Sequence, residues 1–77
     1  MHDQIVEMLS AGILVEHVDV ELSGNHCTVT VVSNEFEGLS RVKKQQKVYQ
    51  CLNEKIASGE IHALNIHAFT PVQWAER

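Results

Sequence analysis

Two histidines stand five positions apart in IHALNIHAFTP, residues 61–71, a stretch that predicts a strand over 61–69 running into a proline-initiated turn or helix. Imidazole binds transition metals and carries protons near neutral pH, so His62 and His67 are the first candidates for chemistry. Strand side chains alternate between faces, which puts the two rings on opposite sides of a sheet and denies them a common site. His62 shares its parity with Leu64, Ile66 and Ala68, at the rim of the sheet, where packing orients a ring that still offers a nitrogen to a partner. His67 shares parity with Asn65 on the more polar face. His26, where a turn meets a strand, is a third free imidazole. Cys27 and Cys51 have no CxxC or CxxH spacing, which argues against a self-contained zinc site and against a disulfide framework. Both are expected to be reduced thiols, Cys27 on an apolar strand face and Cys51 in a helix beside Leu52.

The remaining candidate is a basic run. Residues 1–40 contain no Lys or Arg, whereas Arg41, Lys43, Lys44, Lys47 and Lys55 follow within fifteen positions, on a chain of net charge −4. Cations clustered on one helix are the electrostatic footprint of phosphate contact. The same charges also serve as an ordinary solvated helix face. The sequence has no glycine-rich phosphate loop, no HExxH and no Ser-His-Asp arrangement, so an ordinary hydrolase is not expected.

The elements that must position these groups follow from periodicity. Ile5, Met8 and Leu9 predict an amphipathic helix over 2–11, ended by SAG. In VEHVDVEL, Val18, Val20 and Leu22 share one face and His17, Asp19 and Glu21 the other. SGN turns the chain into HCTVTVVS, where Cys27, Val29 and Val31 oppose His26, Thr28 and Thr30, so the two strands form a hairpin. NEFEG reads as a loop. Ser40 caps a helical segment over 41–57 whose apolar stripe is Val42, Tyr49, Leu52 and Ile56, with a break into two helices expected near Gln45 and Gln46. Gly59 ends that segment, and Thr70 and Pro71 start a terminal helical turn whose Trp74 packs back on the sheet.

Seventy-seven residues, 44% of them hydrophobic, make one small domain with a single core, spanning 1–77. MHDQIVEML has neither a basic leader nor a long apolar run, so the cytoplasm is the expected compartment, with no membrane association. The order helix, two strands, one or two helices, strand, short helix predicts an α+β fold with helices packed on a three-stranded sheet.

The stretch from His26 to Trp74 closely resembles the BolA family, in particular its short acid-stress, IbaG-type branch; the most specific parts are SNEFEGLSRVKKQQKVY, IHAL and TPVQW. The resemblance implies a BolA-like fold, similar to a type II KH domain, in the order α-β-β-α-(α)-β-α. The GxxG loop of KH domains is missing, since Gly38 has no second glycine at the right distance. BolA-like proteins pair with monothiol glutaredoxins around a shared 2Fe–2S cluster, which implies iron–sulfur trafficking. The family's histidine in the HAL motif maps onto His62. Its second ligand, from the loop between the first two strands, maps onto His26, with Cys27 at a position usually held by an aromatic residue and the less favoured donor. Imidazole can replace thiolate on one iron of such a cluster. The glutaredoxin cysteine and a glutathione thiolate would complete the ligand set, so no cofactor is expected in the isolated chain. Some BolA-like proteins bind DNA, and that alternative would use Arg41, Lys43, Lys44 and Lys47. A homodimer shielding the cluster-binding surface is a third arrangement that the residues leave open.

Overall fold

The alternation in HVDVELS and HCTVTVV becomes an antiparallel pair, β1 (His17–Ser23) and β2 (His26–Val32), joined by the two-residue turn Gly24–Asn25. A third strand, β3 (Ala63–Phe69), lies parallel to β2, so the sheet order is β1-β2-β3 and both outer strands have an open edge. The helices are α1 (His2–Gly12), α2 (Arg41–Cys51), α3 (Asn53–Ala57) and α4 (Pro71–Glu76), with a 3-10 turn at Asn34–Phe36. The computed structural model describes residues 2–77.

Register sorts the side chains into two faces. Val20, Val29 and Ile66 align across the three strands, as do Val18, Val31 and Ala68, and this face meets α1 and α2. Ile5 and Leu9 from α1, Ile13 just past its end, Val48 from α2 and Leu52 at its C-cap close the core, all at most 2% exposed. Burying such side chains contributes about 1.5–3 kcal/mol each. On the opposite face His17, Val32 and Phe69 align, and α4 crosses that end of the sheet: Trp74 stacks on His17 with centroids 4.9 Å apart and tilts against Phe69 at 5.5 Å. The expected return of Trp74 onto the sheet is present, and Val32 beneath is buried.

Three expectations are corrected. The helical segment breaks at Leu52, not near Gln45 and Gln46: Leu52 leaves helical geometry (φ −108°, ψ 9°) while it remains in the core. The buried row of α2 is Lys44 and Val48, continued by Leu52 at the C-cap, whereas Val42 and Tyr49 are 63% and 45% exposed. A lysine occupies an inward position because its long apolar stem can be buried while its ammonium reaches a partner at the rim. The stretch NEFEG is also more than a loop. Its 3-10 turn is capped by Ser33, whose Oγ accepts from the Glu35 N–H (3.0 Å) and donates to the Leu14 carbonyl (2.8 Å), and it drives Phe36 into the core at 0% exposure.

The end of α1 touches α2 closely. A Cβ on Gly12 would lie 2.6 Å from the Cys51 Sγ, a distance that no side chain tolerates without displacement. Gly12→Ala should therefore destabilise the protein by about 1–3 kcal/mol through overpacking, despite alanine's better helix propensity. In a Cys51→Ala background the same change should become neutral or stabilising; equal urea-denaturation shifts in both backgrounds would count against the contact.

Glu35 staples the α1–β1 connection to α2. Its carboxylate accepts from the Leu14 N–H and pairs with Lys47 Nζ at 3.3 Å, and these two interactions, the Leu14 bond first, hold its pKa below the ordinary 4.5. Glu60 is lowered in the same way by Lys55 and then Ser58. A carboxyl more acidic in the folded state stabilises above its unfolded pKa, and that contribution is lost as pH falls through the folded value. The melting temperature should thus decline as pH drops below about 4.5, and Glu35→Gln should flatten the decline. Parallel acid profiles for the two proteins would contradict this.

Candidate functional site

His62 lies in a bend one residue before β3, so strand parity does not set its direction. Its position is fixed by main chain instead: the Asn25 carbonyl, in the β1–β2 turn, accepts from the His62 N–H at 2.9 Å and from the Ala63 N–H at 3.4 Å. On its other side stands Gly59, at φ 83° in the left-handed region that ends α3, and a Cβ there would meet the His62 Nε2 at 3.8 Å. The imidazole is thus seated between two turns.

His26 opens β2, and its register partner is Ala63, the residue after His62. Adjacent strands are about 4.8 Å apart, so the parallel pairing brings two imidazoles from distant parts of the sequence to the same end of the sheet. Both are exposed, and neither ring has a hydrogen-bond partner among the described residues. Either ring is therefore free to use a nitrogen lone pair for an external group.

The other candidates separate from this pair. Cys27 is 1% exposed on the core face, and burial pushes its thiol above the ordinary 9.0, which opposes the thiolate that ligation requires. Cys51 is half-buried against Gly12 and is raised likewise by burial. His67 is exposed on the face opposite the core, level with Thr30, toward the far end of β3. No group of three or more His, Cys, Asp or Glu side chains suited to a metal ion occurs among the described residues.

The basic run divides in two. At 3.6 residues per turn Arg41 and Lys44 are about 60° apart, and Lys43 and Lys47 about 40° apart on a different side of α2. Lys47 is paired with Glu35 and Lys55 with Glu60, whereas Lys44 is 9% exposed and donates to Gln73 Oε1 at 2.9 Å. Arg41 and Lys43 are exposed and have no carboxylate partner among the described residues. Gln73 was absent from the candidates although its signal is in the sequence: TPVQ is a capping box, with Thr70 Oγ1 accepting from the Gln73 N–H and Gln73 Oε1 from the Thr70 N–H.

A family model described as BolA-like protein matches residues 7–73, a span that includes His26 and His62. The chain belongs to the BolA family. It is 43% identical over 74 residues to the acid stress protein IbaG of Escherichia coli, covering 96% of this chain and 88% of that protein. It is 40% identical over 52 residues to the DNA-binding transcriptional regulator BolA of Haemophilus influenzae, covering 68% of this chain and 50% of the other. Among solved structures it resembles BolA1 from Arabidopsis thaliana, with a TM-score of 0.85 at 29% identity, covering 94% and 93% of the two chains. The three-stranded mixed sheet with its helices is thus a BolA fold. No helix among the described residues of this BolA-family chain is long and apolar enough to cross a membrane.

Proposed function

We propose that this BolA-family chain is a non-enzymatic, cytoplasmic partner of a monothiol glutaredoxin in iron–sulfur trafficking and stress response, holding a shared 2Fe–2S cluster as cargo through His62 and His26. The observation that supports the reading is the main-chain tie of His62 and Ala63 to Asn25, which holds the His62 backbone beside the start of β2, where His26 is exposed. Two imidazoles suit one iron of such a cluster, whose chemistry is one-electron transfer and delivery of the intact unit. The glutaredoxin cysteine and a glutathione thiolate are the remaining ligands. The buried, protonated Cys27 leaves His26 as the accessible second donor.

The test is reconstitution. The protein is mixed without oxygen with a monothiol glutaredoxin, ferrous iron, sulfide and glutathione, and followed by size exclusion and visible circular dichroism. A heterodimer whose cluster spectrum differs from that of the glutaredoxin alone supports the reading. Separate elution with an unchanged glutaredoxin spectrum contradicts it.

A second reading, nucleic-acid binding, is favoured by the exposed and unpaired cations Arg41 and Lys43 and by the relative named as a DNA-binding regulator. Each phosphate neutralised contributes a log–log salt slope of about −0.9. With Lys44 buried and Lys47 paired, a duplex should show a slope nearer that of two contacts than of four.

A further inference from the structure

We propose that the groove between α2 and the open edge of β3 binds a small phosphomonoester with an apolar or planar body. The groove has a volume of about 460 Å³ and lies between Arg41 and Lys44 on one side and the last residues of β3 on the other, with Gln73 of α4 at its margin. That size accommodates a small organic molecule.

Three independent features select the ligand class. First, the ammonium of Lys44 is at the rim of the core, and its only hydrogen bond among the described residues goes to the neutral Gln73 amide. Burying a cation without a countercharge is costly, and the groove contains no carboxylate to supply one. Second, Arg41 enters the same groove one helical turn earlier, and the His67 ring also lines it. Two fixed positive charges match a phosphate dianion better than a monoanionic carboxylate. On a protein of net charge −4 this is a local reversal of sign. Third, Ile66, Ala68 and Phe69 present apolar surface beside the cations. Four consecutive residues of β3 line the groove because the strand pairs only with β2, so its outer edge also offers free main-chain donors and acceptors to a heterocyclic body.

This site is separate from the histidine pair. His67 is five residues along the strand from His62, roughly 17 Å at the rise of a β-strand. Failure of one site therefore says nothing about the other.

The experiment is a titration of the ¹⁵N-labelled protein with adenosine 5′-monophosphate, followed by heteronuclear NMR, with inorganic phosphate, adenosine and a single-stranded oligonucleotide as separate arms. Expected are saturable shifts at Lys44, Phe69 and the Gln73 side-chain amide, with His26 and His62 unmoved. Phosphate or adenosine alone should bind at least tenfold more weakly. Arg41→Gln, at an exposed position, should weaken binding at least tenfold while leaving the Trp74 resonances in place, and Lys44→Met should abolish it. Non-saturating shifts spread over Lys43, Lys47 and Lys55, equal binding in Arg41→Gln, or binding of the oligonucleotide but not of the monophosphate would each overturn the proposal.

Discussion

His62→Ala should abolish the cluster-bridged complex with glutaredoxin while leaving the fold intact. The side chain is exposed and its ring makes no hydrogen bond among the described residues, so its removal should change stability by no more than about 0.5 kcal/mol. The main-chain bonds to Asn25 use the His62 and Ala63 amides and survive the substitution. The effect on the shared cluster should be of a different order, because one of the two donors this chain offers is lost. His26→Ala should weaken the complex in the same direction, and Cys27→Ala should leave the cluster spectrum unchanged. A His62→Ala protein that assembles a complex with the wild-type spectrum and lifetime would contradict the assignment.

The second large effect concerns the core. Phe36 is 0% exposed and the largest of the fully buried side chains, so Phe36→Ala should cost about 3–5 kcal/mol. A core of this size supplies roughly 3–5 kcal/mol of net stability, so the variant should be largely unfolded at room temperature. Urea titration followed by far-ultraviolet circular dichroism measures this directly. Val42→Ala, at an exposed position on α2, should be nearly silent. A Phe36→Ala midpoint close to wild type would mean that the 3-10 turn does not anchor the core.

These two residues show what was legible in the sequence and why. The strands were readable because each has one apolar and one polar face, and period-two alternation survives without tertiary context. Phe36 was not, because a lone aromatic between two glutamates has no period; its burial depends on the Ser33 cap and the bonds to Leu14. The stripe of α2 misled for a related reason. Lys44 sits where an apolar residue is expected, and its partner Gln73 is twenty-nine residues away on α4. Val42 and Tyr49 then completed a plausible row that faces solvent.

The candidate site was legible in part. Alternation was expected to put His62 and His67 on opposite faces, but His62 stands before the strand rather than in it, so that rule applies to His67 alone. The placement of His26 and His62 at the same end of the sheet was beyond local pattern, since it follows from the parallel pairing of β2 with β3 and from the register His26 with Ala63. The family resemblance pointed to the same two residues. Its ligand assignment and the physical access of the two rings are separate arguments.

The most direct measurement is pulsed electron paramagnetic resonance on the reduced 2Fe–2S complex of this chain with a monothiol glutaredoxin, using ¹⁵N-histidine label in this chain only. Strong ¹⁵N couplings from two histidines that replace the ¹⁴N pattern, one of them lost in the weaker complex of His26→Ala, are the predicted result. A cluster that forms in the complex but carries no strongly coupled histidine nitrogen from this chain would contradict the account.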